Sequence, residues 1–461
     1  MKPVLLADFG STYTKVTAVD LEQETVLGTA EAYTTVETDI NRGFAKALAD
    51  LTERIGPVAF DRRFACSSAA GGLKMIVSGL MPELTVAAAR QATLGAGAKI
   101  LKFYSFQLTR EDVEEILAAR PDILLLVGGT DGGNSDCILH NAGMLAALPP
   151  EWPVVVAGNR SALQECGRLL SGHQVYLCEN VMPKFGVLNT VPSQKQIREI
   201  FLNRIIQAKG LSQAAALMDG PLIPTPAAVM QAMELLAEGC PGEPGLGQLM
   251  AVDVGGATTD VYSVAEGGPA RDTILYRGLP EPYVKRTVEG DIGMRYSIRG
   301  ILEAAGPQRL AELSGLPEER VLELVEYLGR HTEALPGADR ELASLDYALA
   351  CLAVETAMSR HAGKLEEVYT AAGPAYVQTG KDLTGVEHIV VTGGSLIHSP
   401  RVREIAAHGL FKGTDPFSLR PQKARILVDR RYILAAMGLL TPHYPETALR
   451  IMKKELADDG D

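Results

Sequence analysis

The chain has 461 residues, 46% of them hydrophobic, and because single cores seldom grow beyond about 250 to 300 residues we expect several domains. The 56 Asp and Glu residues exceed the 44 Lys and Arg residues, and the formal net charge of -12 disfavours nucleic acid and anionic membranes as partners. The six cysteines include no CxxC pair, and we find no apolar run of about 18 residues, so we expect a cytoplasmic protein with reduced thiols and without a disulfide framework, zinc site or membrane span.

The first part of the chain predicts an antiparallel start followed by a helix. Residues 3–9 and 14–20 are two predicted strands joined by a Gly-Ser-Thr corner, and "ETVLGTAEAYTT" continues as a third. A helix is expected over "NRGFAKALADLTERIG", and "AFDRRFACSSAAGGLKMIVSGL" then returns to strand and a Gly-rich turn. We assign residues 1–85 to the start of a first domain.

From about residue 85 the pattern changes to short apolar strands that alternate with helices. The strands are "KILKFYSF", "DILLLVGGTDGGN", "PVVVAGN" and "HQVYLCEN", and "TREDVEEILAAR" is a helix with acidic residues in its first turns. Apolar strands followed by Gly turns and helices are typical of parallel βαβ units. We expect residues 86–212 to form an inserted, small doubly wound α/β domain.

The second half of the chain begins with a connecting helix and then repeats an earlier motif. Residues 213–245 contain "GPLIPTPAAVMQAMELLAEG", with Pro226 in its first turn, and the linker "GCPGEPGLG". Residues 246–289 hold a second hairpin, and residues 290–385 have mostly helical periodicity, including "DYALACLAVETAMSRHAGKLEEVY". Residues 386–461 contain the strand and Gly-Gly turn "VEHIVVTGGSLIHSP", the helix "PRVREIAAHG" and a last helix at "DRRYILAAMGLL".

Two hairpins share one pattern, a buried strand that ends on a carboxylate and turns at glycine. "LLADFGSTYTKV" begins at residue 5 and "LMAVDVGGATTDV" at residue 249. The matching positions are Asp8 and Asp253, Gly10 and Gly255, Thr14 and Thr259, and Val16 and Val261. One such turn is common and carries no functional information. Its repetition indicates a shared role.

Each hairpin has the groups that bind phosphate and magnesium. Backbone N–H groups at glycine corners, with hydroxyls beside them, cradle phosphate oxygens. Mg²⁺ is usually held by one or two carboxylates together with phosphate oxygens, so Asp8 and Asp253 are the predicted metal ligands. Lys15 begins the returning strand and can reach the β- and γ-phosphates. Asp8, Asp253 and Asp260 are all candidates for the catalytic group that activates water.

Three motifs in chain order resemble those of a known superfamily. "ADFGSTYTK", "VDVGGATTD" and "VVTGGSLIHSP" resemble the first phosphate loop, second phosphate loop and adenosine motif of the actin, hexokinase and heat-shock-protein-70 ATPases. "VEGDIGMRYSIRG" resembles the loop and helix that close over adenine in the heat-shock branch, with Arg295 a further candidate. The nucleotide-binding residues that the resemblance implies are Gly10, Ser11, Thr12, Lys15, Gly255, Gly256, Ala257, Thr258, Gly290, Asp291, Gly393, Gly394 and Ser395.

The same resemblance implies a fold and a cofactor. The expected class is α/β, an actin-like ATPase fold of two ribonuclease H-like lobes with the inserted doubly wound α/β domain and a helical subdomain. Residues 1–85 and 213–245 would belong to the first lobe, residues 246–289 and 386–461 to the second, and residues 290–385 to the helical subdomain. ATP or ADP with Mg²⁺ would be the cofactors.

More narrowly, six motifs together resemble the glutamate mutase-associated MutL (GlmL) family. They are "LLADFGSTYTKVTAVDL", "SSAAGGLKM", "LLVGGTDGGN", "VDVGGATTDVYSV", "EGDIGMR" and "VVTGGSLIHSP", and they cover most of the chain. Members of that family are regarded as ATP-dependent accessory or reactivating proteins for adenosylcobalamin-dependent mutases such as glutamate mutase and aminomutases. The resemblance implies a chaperone-like role with mutase subunits as partners and a slow Mg-dependent ATPase activity. A homodimer is left open.

Two other functions within the superfamily stay as alternatives. A small-molecule kinase would need a substrate carboxylate or base and a phosphoryl acceptor, and no sugar-binding signature is visible. An actin-like scaffold would need a self-complementary surface. The chain departs from the heat-shock ATPases at the connecting helix, where "IPTPAAVMQA" stands in place of a motif with a Glu, so the role of that Glu is open here.

Features outside these motifs are weaker candidates. The inserted domain loosely resembles a cobalamin-binding domain but lacks the Asp-x-His-x-x-Gly loop, so we expect His140 and His173 to be surface or capped residues. It is either a plain insertion or a mimic of the small subunit of the mutase. Gly128–Asn134 could bind an anion or be a simple turn. We expect Cys66 to be a small buried thiol, Trp152 to pack, and "DRRY" to cap the last helix.

Overall fold

The computed structural model describes residues 2–10, 13–34, 40–68, 74–95, 98–208, 215–370 and 373–456. The chain divides into two compact units, Met1–Val229 with Gly278–Pro280, and Met230–Arg277 with Glu281–Asp461. It passes from the first unit into the second within the helix Thr225–Glu238.

The first unit contains a mixed five-stranded sheet with the order β10-β4-β1-β2-β3. Its strands are β1 (Pro3–Phe9), β2 (Tyr13–Asp20), β3 (Thr25–Tyr33), β4 (Arg62–Ser67) and β10 (Ile223–Pro224). The pairs β1–β2 and β2–β3 are antiparallel, whereas β1–β4 and β4–β10 are parallel. β1 is buried throughout except at Asp8, because a central strand covered on both faces needs a continuous apolar run. Helix α1 (Ile40–Ile55) follows β3.

A second sheet of the first unit is entirely parallel, with the order β6-β5-β7-β8-β9. Its strands are β5 (Lys74–Gly79), β6 (Lys99–Ser105), β7 (Ile123–Leu126), β8 (Val154–Val156) and β9 (Val175–Leu177). A π-helical turn, Pro82–Val86, precedes the helices, which are α2 (Ala87–Gly95), α3 (Arg110–Ala119), α4 (Asp136–Leu145), α5 (Leu163–Leu169) and α6 (Val191–Ala208). This is the doubly wound α/β insertion that the alternating pattern predicted.

The expected start of the insertion was wrong. We assigned residues 1–85 to the first domain, but β5 at Lys74–Gly79 pairs in parallel with β6 and β7 and not with β4. An apolar run such as "KMIVSG" predicts a strand but does not specify its sheet. The two sheets also share one core, which includes Phe9, Phe44, Val77 and Leu125. The insertion is therefore packed into the first unit rather than set apart from it.

The second unit repeats the first sheet strand by strand. Its strands are β13 (Leu249–Val254), β14 (Thr259–Val264), β16 (Val284–Glu289), β19 (His388–Thr392) and β20 (Arg425–Val428), after a short hairpin of β11 (Gly239–Cys240) and β12 (Glu243–Pro244). The order is β16-β14-β13-β19-β20, with β13–β14 and β14–β16 antiparallel and β13–β19 and β19–β20 parallel. Each unit thus has one ribonuclease H-like sheet, and the predicted actin-like ATPase fold is confirmed.

Most of the predicted helical subdomain is helical. The helices after β10 are α7 (Thr225–Glu238), α8 (Ile298–Ala305), α9 (Pro307–Ser314), α10 (Glu318–Arg330), α11 (Arg340–His361), α12 (Gly394–Ile397), α13 (Val402–Ala407), α14 (Leu434–Leu440) and α15 (Pro445–Glu455). Helix α14, which we predicted to be the last, is followed by α15. Among the described residues α11 is long and apolar enough to cross a membrane, but it packs in the core of the second unit, and we interpret it as a core helix.

The end of the expected helical stretch, residues 290–385, contains two strands that form a sheet with a third strand from before it. β15 (Ile274–Arg277), β17 (Lys364–Thr370) and β18 (Gly373–Thr379) form three strands in the order β15-β18-β17. A Cβ on Gly363 would lie 2.7 Å from the carbonyl carbon of Gly380, so two backbones meet closely there. The chain thus changes from α11 to β17 at Gly363, although the sequence "HAGKLEEVY" was predicted to continue the helix.

Candidate functional site

The two repeated hairpins have the same backbone closure. In the first, the Gly10 N–H donates to the Tyr13 carbonyl at 3.1 Å, and in the second the Gly255 N–H donates to the Thr258 carbonyl at 2.9 Å. Each glycine stands two residues after the aspartate that ends the strand. The sequence repeat is therefore also a structural repeat.

The strand-end aspartates occupy equivalent positions in the two sheets. Asp8 lies directly opposite Lys15, and Asp253 lies directly opposite Asp260. Directly opposite residues place their side chains on the same face of a sheet. Both Asp8 and Asp253 are half-buried in otherwise buried strands, so each hairpin offers a partly accessible carboxylate at its base.

The tip of the second hairpin is accessible. Ala257 is exposed, and Gly256 and Thr258 are half-buried. Ser11 and Thr12, the residues predicted at the tip of the first hairpin, lie outside the described residues.

Neutral donors surround the Asp8 carboxylate. The Thr225 hydroxyl donates to its Oδ1 at 2.6 Å, and the Cys66 thiol is 3.4 Å from the same oxygen. Burial raises the pKa of Asp8 above its ordinary value, against the opposing effects of the Lys15 charge and of these two hydrogen bonds. Sequence reasoning did not find Thr225, although it stands in "IPTPAAVMQA", where the chain departs from the heat-shock motif.

Cys66 acts as a donor and not as a nucleophile. Its side chain is buried, and burial together with the charge of Asp8 raises the pKa of the thiol well above its ordinary range. A protonated thiol can donate to the carboxylate. The predicted buried thiol is confirmed, and its contact with Asp8 is an addition from the structure.

In the second hairpin an ion pair holds Asp260. Its Oδ1 accepts from Nε of Arg286 at 2.9 Å and from Nη2 at 2.6 Å, and the Arg286 side chain is only 6% exposed. Arg286 lies on β16, one strand further from β13. Two charge-assisted hydrogen bonds already occupy this oxygen, so of the three candidate carboxylates Asp260 has the least support as the group that activates water. Sequence reasoning missed Arg286.

The loop after β16 packs on the second hairpin. The Met294 N–H donates to the Gly255 carbonyl at 3.0 Å, and the Tyr296 N–H donates to the Gly256 carbonyl at 2.8 Å. A Cβ on Gly293 would lie 2.5 Å from the carbonyl carbon of the exposed tip residue Ala257. The motif "EGDIGMR" is thus in direct contact with the motif "VDVGGATTD".

The polar residues of that loop have protein partners. The Ser297 hydroxyl donates to the Gly290 carbonyl at 3.1 Å, and the Asp291 carboxylate accepts from Nη1 of Arg360 at 2.9 Å. Arg295 forms a two-pronged ion pair with Asp346, at 3.0 and 2.8 Å, and is buried. Arg295 therefore holds the loop to α11, which is a structural role, whereas Gly290 and Asp291 stay predicted nucleotide contacts.

The adenosine motif meets the second hairpin at Gly393. The φ angle of Gly393 is +98°, and a Cβ there would lie 2.7 Å from Oδ1 of Asp253, so only glycine fits against this carboxylate. Gly394 is exposed and Ser395 is half-buried. A Cβ on Gly394 would be 3.6 Å from the Tyr432 hydroxyl, which identifies Tyr432 as a neighbour that sequence reasoning missed.

The segment "DRRY" caps a helix, as predicted. The buried Asp429 carboxylate accepts from the Ile433 and Leu434 N–H groups, at 2.8 and 3.2 Å, at the start of α14. Thr392, the last residue of β19, donates to the same carboxylate at 3.3 Å. Asp429 therefore ties α14 to the strand that leads into the adenosine motif.

The weaker candidates of the inserted domain have structural partners. In the Gly128–Asn134 loop, the Asn159 side chain accepts from the Gly132 N–H and donates to the carbonyls of Gly133 and Asn134. These hydrogen bonds favour the simple-turn interpretation. His140 and His173 contact the Leu108 and Trp152 carbonyls, which matches capped histidines.

Comparison with known proteins places the chain in a family. The family model "MutL protein" matches residues 4–456. "Protein MutL" of Clostridium tetanomorphum is 48% identical over 460 residues, which are 99% of each chain.

Among solved structures, the activator of the 2-hydroxyisocaproyl-CoA dehydratase from Clostridium difficile, with bound ADPNP, is 10% identical with a TM-score of 0.32, over 100% of both chains. Xylulose kinase from Lactobacillus acidophilus is 12% identical with a TM-score of 0.36, over 100% of this chain and 93% of the other. At these TM-scores the two structures say nothing about activity. The match along almost the entire chain, together with the 48% identity, makes this chain a member of the MutL protein family.

Proposed function

We propose that the protein binds ATP with Mg²⁺ through its two Asp-Gly hairpins and uses ATP turnover to reactivate an adenosylcobalamin-dependent mutase. The observation that carries the proposed nucleotide binding is the duplication of the hairpin. In each copy the N–H of the equivalent glycine closes the turn beside a half-buried aspartate near the end of the strand. Membership of the MutL family supports the accessory role. The GlmL-like motifs support the choice of mutase.

The residues present fit a magnesium nucleotide. Mg²⁺ dehydrates reluctantly and is usually held by one or two carboxylates with phosphate oxygens and water, and Asp8 and Asp253 each offer one carboxylate. Within the described parts of the chain no three His, Cys, Asp or Glu side chains are grouped to hold an ion without a ligand. When bound, the metal neutralises charge on the phosphates, and Lys15 adds a cation to the same task.

The protein's own groups orient these contacts. Thr225 and Cys66 hold the Asp8 carboxylate by hydrogen bonds. The proposed phosphate contacts are Gly10, Ser11, Thr12, Lys15, Gly255, Gly256, Ala257 and Thr258, and the proposed nucleoside contacts are Gly290, Asp291, Gly393, Gly394 and Ser395. For the group that activates water, Asp8 and Asp253 are favoured over Asp260, whose Oδ1 is paired with Arg286.

Melting and turnover experiments test the nucleotide site. Mg-ATP should raise the melting temperature of the wild-type chain, because a ligand that binds only the folded state stabilises it. Asp8→Asn or Asp253→Asn should reduce ATP turnover at least about tenfold, since each removes a charge from the metal site. Asp61→Asn and Asp272→Asn, at exposed carboxylates of the first and second unit, are matched controls that should keep wild-type turnover.

Two results would contradict this assignment. A folded wild-type chain whose melting temperature does not respond to millimolar Mg-ATP would not be a nucleotide-binding protein. Wild-type turnover in both Asp8→Asn and Asp253→Asn would mean that other carboxylates hold the metal.

The accessory role requires that nucleotide state and partner affinity are coupled. A mutase with a damaged cobalamin must open and release the spent cofactor before it can bind a new one. If nucleotide changes the affinity of this protein for the mutase, the mutase changes its affinity for nucleotide by the same factor. ATP turnover should therefore respond to the presence of the partner.

Reactivation of an inactivated enzyme tests this role. The purified protein, Mg-ATP and free adenosylcobalamin should restore activity to an inactivated glutamate mutase-like enzyme, and a non-hydrolysable ATP analogue should support fewer cycles. The Asp253→Asn variant, which should bind the same partner without turnover, is the control. Stoichiometric phosphorylation of a sugar or carboxylic acid, with no effect on any cobalamin enzyme, would favour a kinase instead.

A further inference from the structure

A cleft in the second unit is lined by residues that belong neither to the hairpins nor to the adenosine motif. Its volume is about 530 Å³, which is within the range of small-molecule sites. Four segments line it: the end of α8, the start of α9, the outer face of α11, and the loop before β20. The lining residues with charged side chains are Arg309, Glu355, Arg360, Lys412, Asp415 and Arg420.

The Glu355 carboxylate forms ion pairs with two of the cations, Arg309 and Lys412. Oε2 of Glu355 is 3.1 Å from Nη2 of Arg309 and 2.6 Å from Nζ of Lys412. Burial by itself would raise the pKa of Glu355, but hydrogen bonds from His408 and Lys412 and the charges of Lys412 and Arg309 lower it to about 2. Glu355 is therefore ionised at neutral pH and holds these side chains in the wall of the cleft.

Arg420 is the cation without an adequate partner. It is 2% exposed, and its Nε donates to the Ser418 hydroxyl at 2.9 Å. Its Nη2 lies 3.8 Å from the Asp415 carboxylate, a side chain that is 53% exposed, and such a long contact with an exposed group is weak. Its Nη1 is buried and has no hydrogen-bond partner among the described residues.

A buried guanidinium that is only weakly paired, as that of Arg420 is, needs an anion. Burying a charge is costly unless it is paired and hydrogen-bonded, and a buried polar atom without a partner in a native protein calls for an explanation such as an ion or ligand. The hydroxyls of Thr356, Ser359 and Thr414 also line the cleft and can donate to the same anion. The lining thus combines a buried cation, further cations and neutral donors.

We propose that this cleft binds a small molecule by an oxyanion group, a carboxylate or a phosphate, with Arg420 as the principal contact and Lys412 beside it. Arg recognises both groups through paired N–H donors. The Lys412 ammonium has three donors, of which Glu355 occupies one, and Nδ1 of His408 lies 3.4 Å from the same nitrogen. In the ligand-free protein Asp415 is the competing anion, and because it is exposed it can turn to solvent when the ligand enters.

Titration of the full chain with simple anions tests the proposal. Inorganic phosphate and succinate, each at matched ionic strength against chloride, serve as probes of the phosphate and carboxylate classes. At least one should bind with a Kd of about 1 mM or tighter by calorimetry and raise the melting temperature. The tighter of the two identifies the class, and equal binding means a general oxyanion site.

Variants with opposite expected effects locate the anion. Arg420→Gln should weaken binding at least about tenfold. Asp415→Asn should strengthen it about threefold or more, because it removes the competing carboxylate and changes only an exposed side chain. Arg299→Gln, which alters an exposed arginine paired with Glu326 outside the cleft, is the matched control and should leave binding unchanged.

The same measurements can overturn the proposal. The proposal is overturned if neither phosphate nor succinate binds the folded wild type at about 20 mM. It is also overturned if Asp415→Asn binds the anion with unchanged affinity. This second test holds even if Arg420→Gln fails to fold. Loss of binding in Lys15→Gln, with wild-type affinity in Arg420→Gln, would assign the anion to the first hairpin and overturn the proposal as well.

Discussion

The hairpins of the two units share the same closing hydrogen bond and the same strand pairing, and they differ in charge. The position across from the strand-end aspartate is Lys15 in the first unit and Asp260 in the second. Around Asp8 the further partners are neutral, a hydroxyl and a thiol. In the second hairpin two carboxylates stand opposite each other, and Arg286 from the next strand pairs with one of them.

This difference separates two roles of positive charge. Like charges directly opposite each other destabilise a sheet, so Arg286 is needed for the stability of the second sheet. Lys15 lies opposite two carboxylates, Asp8 on β1 and the exposed Glu31 on β3, and burial keeps the pKa of Asp8 raised. Two hairpins with the same closing hydrogen bond can therefore use their cations differently. In our proposal Lys15 binds the ligand, whereas Arg286 stabilises the second sheet.

The largest expected effect is the loss of Arg286. Arg286→Met leaves Asp260 opposite Asp253 without its cation and should lower the free energy of unfolding by about 3–5 kcal/mol, measured by urea denaturation. Lys15→Met, at a half-buried position of the first hairpin, should cost about 1 kcal/mol or less.

A double variant sharpens this result. Arg286→Met with Asp260→Asn removes both charges of the ion pair and should recover most of the lost stability, because Asp260 no longer places a charge opposite Asp253. Equal costs for Arg286→Met and Lys15→Met would break the distinction between the two hairpins.

An intermediate effect is expected at the glycine that closes each hairpin. A Cβ at position 10 would lie 2.5 Å from the Tyr13 carbonyl oxygen, whereas at position 255 the nearest atom is the Thr258 carbonyl oxygen at 3.1 Å. Gly10→Ala should therefore cost about 1–3 kcal/mol and Gly255→Ala about 1 kcal/mol or less, by the same denaturation measurement. A larger loss in Gly255→Ala would mean that the second turn is the tighter one.

The smallest effect concerns the apo stability of the first hairpin. Burial raises the pKa of Asp8 above the ordinary aspartate value of 3.8, so the folded state binds this proton more tightly than the unfolded state, and ionisation costs stability as the pH rises through the folded pKa. Without nucleotide at pH 7, Asp8→Asn should melt at the wild-type temperature or slightly above it. The difference should vanish as the pH falls towards 3.8.

Melting curves of wild type, Asp8→Asn and the control Asp61→Asn across this pH range measure the effect. A marked loss of stability in Asp8→Asn at pH 7 would show that Thr225 and Cys66 stabilise the carboxylate more than burial penalises it. In that case the ionised Asp8 carboxylate would stabilise the folded state of the ligand-free protein.

Local pattern was sufficient for much of the fold. The strands β1 and β13 are apolar runs with Asp as the last residue but one and Gly directly after the strand, and the repeat of this pattern predicted the duplication. Helix α3 begins with a capping box between Thr109 and Asp112, whose signal is entirely local. The sheet to which β5 belongs was mispredicted, because an apolar strand shows that it is buried but not which strand it pairs with.

The candidate site likewise has features that local sequence predicts and features that only the tertiary structure shows. The sequence alone determined the two strand-end carboxylates, the glycine corners and the family, because these are features of contiguous residues. Only the tertiary structure brought Thr225 to Asp8 from a helix more than two hundred residues away, Arg286 to Asp260 across a sheet, and Gly393 against Asp253. A hydroxyl or a guanidinium has no periodicity of its own in a sequence. What it does depends on which distant strand or helix packs beside it, and that is decided by the burial and strand pairing of the entire unit.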